Sequence, residues 1–226
     1  MKLLKISLCA LALFVAFSCG NTSGSQAAHS SCGNCTGEGA GDCSGHSECA
    51  AAANPVIENI MSRRSIRNYK DTAVSREVMS QILECGINAP NGQNKQSWEV
   101  RVVDSPVIMN EIKEAMSAGG NEAAAGCFRG APVMVFIARD KAYDFSTIDC
   151  GLLAGNMVLA ANSLGVGSIC LGSPVRFIEN SPKRDEILSR LSFSPGYELC
   201  LCIGFGYANE APAAKPRNFE KVKFVD

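Results

Sequence analysis

Two groups of cationic residues stand at opposite ends of the main body of this 226-residue chain. The first is "RRSIRNYK", residues 63–70, in which four of eight residues are Lys or Arg, and the second is Lys215-Pro216-Arg217. Arg63 and Arg67 are four residues apart, with Ser65 between them. Guanidinium groups bind phosphate oxygens two at a time, so this set is suited to hold one phosphate group.

A second interpretation of the first cationic group needs no ligand. The segment before it, opened by Asn54-Pro55, predicts a helix. Cations at the C-terminal end of a helix interact favourably with its dipole. The sequence leaves both interpretations open.

The main body lacks several kinds of reactive centre. Residues 1–53 carry two Lys and three acidic residues, which accounts for the net charge of −1, so residues 54–226 are formally neutral. A neutral body has no field to attract nucleic acid, and we discount such a partner. Its lack of histidine excludes a His-dependent nucleophile or His-bound catalytic metal there. An enzyme with this inventory takes its chemistry from a cofactor.

The N-terminus is typical of an export signal. Residues 1–18 contain Lys2 and Lys5, followed by an apolar run that is short for a membrane span. The residues "AFSC" resemble a bacterial lipoprotein cleavage box, which predicts lipidation of Cys19 and a membrane-anchored protein exported to the cell envelope. An ordinary signal peptide cut nearby is the alternative.

Residues 19–53 predict a flexible tether, because Gly, Ser and Ala dominate and large apolar residues are almost absent. The tether contains four cysteines: Cys32, Cys35, Cys43 and Cys49. The C-x2-C spacing of the first pair occurs in zinc and iron–sulfur sites, but no second pair matches it. Disulfides or free thiols are the alternative. A further hypothesis is that these thiols relay electrons to the main body.

Residues 54–226 have the pattern of one packed α+β domain. Helices are predicted from 55, from 75, at 106–117, at 121–128 and at 183–191, and a long apolar helix ending at Gly165 is predicted to be buried centrally. Strands are predicted at "SWEVRVV", "PVMVFIAR" and "YELCLCIGFGY". Six body cysteines are predicted as small core residues: Cys85, Cys127, Cys150, Cys170, Cys200 and Cys202. Among them, Cys85 is predicted to face the core, and Cys200 and Cys202 to share one strand face.

Four separated segments resemble the FMN-dependent nitroreductase family. "RRSIRNY" is similar to its opening Arg-x-Ser-x-Arg phosphate element, and "APNGQNKQSWEV" to its Ala-Pro loop and the strand after it. "DCGLLAGNMVLAANSLGVGSICLG" is similar to its central helix and glycine turn, and "IGFGYANEAPAAKPR" to its last strand and Lys-x-Arg tail. The resemblance implies an α-β-α sandwich with a mostly antiparallel central sheet. It also implies an obligate homodimer with FMN in clefts at the interface.

The resemblance assigns eleven cofactor-binding residues by position, and no catalytic side chain or metal ligand. Six would hold the FMN phosphate and ribityl chain: Arg63, Arg64, Ser65, Arg67, Lys215 and Arg217. Three would reach the flavin from the partner subunit: Pro90, Asn91 and Asn94. Two would offer backbone groups near the flavin ring: Leu171 and Gly172.

The implied reaction is ping-pong hydride or electron transfer through the N5 atom of FMN to a small aromatic or conjugated acceptor. NAD(P)H is the family's usual donor, but export would separate the domain from it. Two departures from the family pattern, Asn91 for Ser and Ser97 for Pro, bear on the choice of acceptor. The alternative function is an exported lipoprotein that binds flavin or another small molecule without nicotinamide-dependent turnover.

Overall fold

The computed structural model describes residues 54–225. Outside the described residues lie the predicted leader, the predicted lipidation site Cys19 and four cysteines, at 32, 35, 43 and 49, so what is said of them above stays a prediction. Between residues 54 and 225, no helix has the length and apolar character needed to cross a membrane.

A four-stranded antiparallel sheet forms the centre of the described domain, in the order β1-β2-β4-β3. Its strands are β1 (Trp98–Val103), β2 (Val133–Asp140), β3 (Gly167–Leu171) and β4 (Tyr197–Gly206). The predicted strands correspond to β1, β2 and β4. The sequence does not predict β3, because its five residues offer too few alternations to distinguish a strand from a turn.

Seven α-helices surround the sheet in the described part of the chain. They are α1 (Pro55–Ser62), α2 (Arg76–Ile87), α3 (Pro106–Ser117), α4 (Glu122–Ala125), α5 (Ser146–Ser163), α6 (Ser173–Glu179) and α7 (Arg184–Leu191). The helix predicted at 121–128 is shorter, because it ends where Gly126 follows, a poor helix former. Asn54, Ser75 and Ser105 cap α1, α2 and α3 through their side chains.

Two apolar clusters fill the two sides of the sheet. On one side, Met134 and Phe136 of β2 pack with residues of α3, α4, α6 and α7. On the other side, Val135 and Ile137 of the same strand pack with α2 and α5. This alternation produces the α-β-α sandwich that the resemblance implies.

The long apolar helix α5 is only partly buried, contrary to the prediction. Leu153 and Met157 are fully buried, whereas Ile148 is 58% exposed and Leu152 is 42% exposed. Beside it, α1 buries none of its residues. Asn59 holds α1 in place by donating from Nδ2 to Leu159 O at 2.9 Å. An apolar surface formed by parts of two helices is therefore open in the single chain.

A β-bulge in β4 determines where two of the cysteines lie. Ile137 pairs with Leu201 and Ala138 with Leu199, so Cys200 is the extra residue between them. Cys200 consequently packs on the α5 side of the sheet, while Cys202 packs on the opposite side. The prediction that they share one face is wrong, because the bulge shifts the alternation by one residue.

Two other cysteines are not core residues. Cys85 and Cys170 are exposed, so their prediction as buried side chains is wrong. In α2, Gly86 takes the place facing α5. A Cβ there would lie 2.6 Å from Cγ of Met157, so any larger residue would force the Met157 side chain to move.

Candidate functional site

The first cationic segment, residues 63–70, runs along the β3 edge of the sheet. The chain leaves α1 at Arg63, whose backbone is extended (φ −57°, ψ 132°). Ile66 N donates to Ser168 O of β3 at 3.0 Å, and Lys70 N donates to Tyr207 O after β4 at 2.8 Å. These bonds fix both ends of the segment against the sheet.

The segment that follows β4 is tied to the first cationic segment. Asn209 N donates to Asn68 O at 3.0 Å. The Glu210 carboxylate accepts hydrogen bonds from the backbone N–H groups of Arg67 and Asn68. Five residues later the chain reaches Lys215, so the second cationic group arrives beside the first.

The two segments enclose a cavity of about 460 Å³, which we call the cationic cavity. Six residues give it polar and charged walls: Arg63, Arg64, Ser65, Arg67, Lys215 and Arg217. Six others give it apolar walls: Ile60, Met61, Leu159, Pro212, Ala213 and Ala214. The structure therefore brings together six of the eleven residues that the resemblance assigns.

The cations of the cationic cavity form no ion pair with the side chains of the described residues. None of the ion pairs found between residues 54 and 225 involves its five cations. Nη1 of Arg67 donates to Ser65 O and Nη1 of Arg217 donates to Lys215 O, both at 3.2 Å. These carbonyls use few of the guanidinium donors, so the cavity suits a ligand that carries a phosphate group.

Arg64 interacts with the C-terminal end of α1, as the second interpretation of the cationic group predicts. Its Nη1 donates to Met61 O at 2.7 Å and to Arg63 O at 2.9 Å, which places its charge at the last carbonyls of α1. The two interpretations of the cationic group thus apply to different residues. Arg64 stabilises the helix end, while Arg63 and Arg67 have left the helix.

Strand β3 leads from the cationic cavity to the two predicted backbone positions. Ser65 forms a β-bridge with Ser168. Three residues further, about 10 Å along a strand, Leu171 is buried at the end of β3 and Gly172 is exposed. Cys170, just before them, has an exposed surface, yet desolvation of its thiol raises its pKa and the nearby Arg63 charge partly offsets this.

Pro90, Asn91 and Asn94 do not line the cationic cavity of the same chain. They belong to a loop, residues 89–97, which we call the polar loop. Asp149 in α5 holds it: Oδ1 accepts from Gly92 N at 2.9 Å, and Oδ2 accepts from the Ser97 hydroxyl at 2.6 Å.

The polar loop and the cationic cavity contact different ends of α5. The cavity reaches α5 at Leu159, ten residues after Asp149. At 1.5 Å per residue the two points are about 15 Å apart along the helix. One copy of the chain therefore does not gather all eleven predicted residues around one cavity.

The backbone of the polar loop is strained. Gln93, Asn94 and Gln96 have φ angles of 54°, 54° and 49°, in the left-handed region that such residues rarely adopt. Strain of this kind persists only where surrounding contacts impose it, and it is common at functional sites. Asp149, which is 2% exposed, holds the loop on both sides of these residues, at Gly92 and Ser97, and Gln96 N donates to Asn91 Oδ1 at 2.9 Å.

Asp149 and Glu210 are the positioning residues that sequence reasoning missed. Both accept hydrogen bonds from backbone N–H groups of a distant segment, and no side-chain spacing announces such a bond. For Ser97 the sequence did offer an indication, because this residue stands where the family pattern has Pro. Its hydroxyl makes the bond to Asp149 that a Pro side chain would lack.

A second cavity, of about 480 Å³, lies between α3 and α7, but its chemistry is less suited to a ligand. Its one cation, Arg190, is paired with Glu111 at 3.0 Å. Within residues 54–225, no three His, Cys, Asp or Glu side chains are grouped as metal ligands. The cationic cavity is therefore the candidate site.

Residues 60–207, about two thirds of the chain, match the nitroreductase family. The chain belongs to the nitroreductase family. The matched stretch includes the first cationic segment, the polar loop and all four strands, whereas Lys215 and Arg217 lie beyond it.

Individual relatives match this chain over about three quarters of its length. A Methanothermobacter thermautotrophicus protein is 30% identical over 165 residues, 71% of this chain and 81% of the relative. FMN reductase (NAD(P)H) of Bacillus subtilis is 28% identical over 187 residues, 73% of this chain and 70% of the relative. The crystal structure of a nitroreductase with bound FMN from Desulfitobacterium hafniense is 28% identical, with a TM-score of 0.69 over 77% of this chain and all of that one.

Proposed function

We propose that this chain is an FMN-dependent oxidoreductase that reduces a small aromatic or conjugated acceptor. The observation that carries the proposal is the meeting of Arg63, Arg67, Lys215 and Arg217 around one cavity. The Desulfitobacterium relative contains FMN, and the Bacillus relative is named as an FMN reductase. When bound, FMN supplies the hydride and electron transfer for which the described residues have no group of their own.

The residues of the cationic cavity have separate tasks in this proposal. The side chains of Arg63, Arg67, Lys215 and Arg217 would bind the FMN phosphate, and the Ser65 hydroxyl would add a donor. Apolar neighbours such as Leu159 and Pro212 exclude water from that phosphate, which strengthens each charge pair. Backbone groups of Leu171 and Gly172, further along β3, orient the flavin ring.

A second copy of the chain completes the site in this proposal. On α1, Val56, Ile57 and Met61 are 60–70% exposed, and α5 adds Ile148 and Leu152. Exposed apolar surface of this extent is typical of an interface. Across a homodimer, the polar loop of one chain, with Pro90, Asn91 and Asn94, borders the flavin of the other.

The electron donor that we propose is NAD(P)H, because the Bacillus relative is named for it. Export and anchoring through Cys19, which the leader pattern supports, would require a donor of another kind. The two arrangements differ in one measurable respect, the reduction of bound flavin by NADH or NADPH.

The test uses the full-length protein, purified after incubation with FMN and dialysis. We expect a yellow protein whose flavin spectrum is bleached under anaerobic conditions by dithionite and by NADH or NADPH, and restored by an aromatic or quinone acceptor. Arg63→Gln with Arg217→Gln should lose the colour, whereas Lys141→Gln, an exposed cation outside the cavity, should keep it. A colourless wild-type protein would overturn the proposal. Bleaching by dithionite alone would instead overturn NAD(P)H as donor and favour the exported flavin-binding alternative.

A further inference from the structure

Two cysteines from different elements, Cys150 of α5 and Cys200 of β4, belong to the same side of the sheet. Cys150 is fully buried, and its Sγ lies 3.8 Å from Ala138 O in β2. Ala138 is also the residue at the bulge, where β4 carries Cys200 as its extra residue. The bulge thus turns Cys200 toward the α5 side of the sheet, where Cys150 lies, and both cysteines are next to Ala138.

The two thiols differ in access. Cys150 has no exposed surface, whereas Cys200 is half-buried and reachable from solvent. Neither belongs to the cationic cavity or to the polar loop. The pair is therefore separate from the proposed flavin site.

The charges around the pair favour one thiolate. Interaction with the Cys150 thiol, assisted by the Arg139 guanidinium, lowers the pKa of Cys200 to about 7, while burial and Glu198 act in the opposite direction. The same interaction and burial raise the pKa of Cys150, and Asp149 next to it adds to the effect. Near neutral pH, Cys200 is the nucleophile and Cys150 keeps its proton.

We propose that Cys150 and Cys200 are a redox-active dithiol, which a hydroperoxide oxidises to a disulfide between α5 and β4. No residue of the flavin site takes part, and the inference stands independently of the proposed function.

The chemistry balances in two steps. The Cys200 thiolate attacks the terminal oxygen of the hydroperoxide and the O–O bond breaks, so that Cys200 becomes a sulfenic acid. The other oxygen leaves as an alkoxide, or as hydroxide from hydrogen peroxide, and takes a proton from the solvent. The sulfur of Cys150 then attacks the sulfur of Cys200, the S–O bond breaks, and the departing oxygen takes the Cys150 proton and leaves as water. The two thiols lose two electrons and the peroxide gains them.

The first experiment maps the disulfide in the wild-type full-length chain. The protein is reduced, freed of reductant, treated with hydrogen peroxide, alkylated under denaturing conditions and digested without reduction for mass spectrometry. We expect a linked pair of peptides containing Cys150 and Cys200, which increases with peroxide and disappears after treatment with dithiothreitol. If both cysteines remain fully alkylated at a peroxide level that oxidises the exposed Cys85, the proposal is overturned.

A second experiment measures the rate of Cys200 alkylation against pH in the folded protein. The wild-type midpoint should lie near pH 7, with roughly 15-fold more thiolate at that pH than an ordinary thiol of pKa about 8.5 provides. Cys150→Ala should raise the midpoint and leave a sulfenic acid on Cys200 that dimedone traps. Cys85→Ser, at an exposed position, is the matched control and should change neither result.

A midpoint that stays unchanged in Cys150→Ala would contradict a direct interaction between the two thiols. If that variant does not fold, the peptide map of the wild-type chain still gives the answer, because it requires no substitution.

Discussion

The carboxylate of Glu210 accepts a hydrogen bond from the backbone N–H of Arg67. A second bond, from Asn68 N at 3.2 Å, fixes the same carboxylate against the first cationic segment. Glu210 does not line the cationic cavity, yet it determines where the chain runs just before Lys215. The alignment of the two cationic groups depends on this one acidic side chain.

Glu210→Ala should therefore weaken FMN binding, because it releases the C-terminal segment from Arg67. The loss of hydrogen bonds at this exposed position corresponds to about 1 kcal/mol, or roughly five-fold in Kd. Flavin fluorescence titration measures it. Glu210→Gln keeps an acceptor oxygen while removing a negative charge near the cavity, so its affinity should equal or exceed that of the wild type. Equal weakening in both variants would contradict this and show that an amide oxygen cannot replace the carboxylate as acceptor.

The cationic cavity should distinguish FMN from riboflavin, which lacks the phosphate. We expect riboflavin to bind at least about 30-fold more weakly at low salt, because charged hydrogen bonds to the phosphate are lost. The difference should narrow as salt rises, and Lys215→Gln should narrow it further. Calorimetric titrations of the two ligands at two salt concentrations test this. Equal affinities for FMN and riboflavin would show that the cationic cavity does not bind the phosphate.

Asp149→Asn should destabilise the protein and disturb the polar loop. The amide of Asn keeps one acceptor oxygen, but its NH2 group replaces the oxygen that accepted from the Ser97 hydroxyl or the Gly92 N–H. That donor loses its partner, and an unsatisfied buried donor lowers the stability by about 1–3 kcal/mol. Urea unfolding measures the stability, and steady-state kinetics should show a lower kcat/KM. Ser146→Ala is the matched control, one turn earlier on α5, since its buried hydroxyl has no hydrogen-bond partner. That variant should be as stable as the wild type or more so.

Ile57→Glu should prevent dimer formation by placing a charge on the exposed apolar face of α1. We expect the variant to elute as a monomer in size-exclusion chromatography with light scattering, and to lose flavin as the partner's polar loop is removed. Val107→Glu, at an equally exposed position on α3, should leave both properties unchanged. A dimeric Ile57→Glu protein would show that α1 lies outside the interface.

Asp104 should contribute to stability at neutral pH and lose that contribution in acid. Its hydrogen bond with Arg76, at 2.6 Å, lowers the pKa of the carboxyl below its usual value. Since the folded pKa is the lower one, the contribution is complete above the unfolded pKa of about 4 and disappears as the pH falls through the folded value. The Tm of Asp104→Asn should therefore lie below that of the wild type at pH 7 and approach it toward pH 2–3.

The sequence predicted those parts of the site whose residues are close together along the chain. Arg63, Ser65 and Arg67 are close in sequence, so their types and spacing were informative before any fold was known. Lys215 and Arg217 are also close in sequence, whereas their role at the same phosphate was implied by the resemblance. The structure places both in the same cavity as the first group. The alternation of apolar residues was enough for β1, β2 and β4.

The parts that were missed depend on tertiary contacts. A single acidic residue such as Asp149 has no spacing that announces its partners, which come from another segment. The bulge at Cys200 is set by strand pairing, and an alternating pattern alone assigns it to the wrong face. The sequence also did not predict that Ile148 in α5 is exposed, because an apolar side chain is equally suited to a core and to an interface.

The cationic cavity has one wall from near the start of the domain and one from beyond its last strand. During synthesis, the apolar clusters on both sides of the sheet are available once β4 has emerged from the ribosome, but the wall that carries Lys215 is not. We therefore expect the cofactor to be loaded late in biogenesis. A nascent chain released before Lys215 should be compact and colourless.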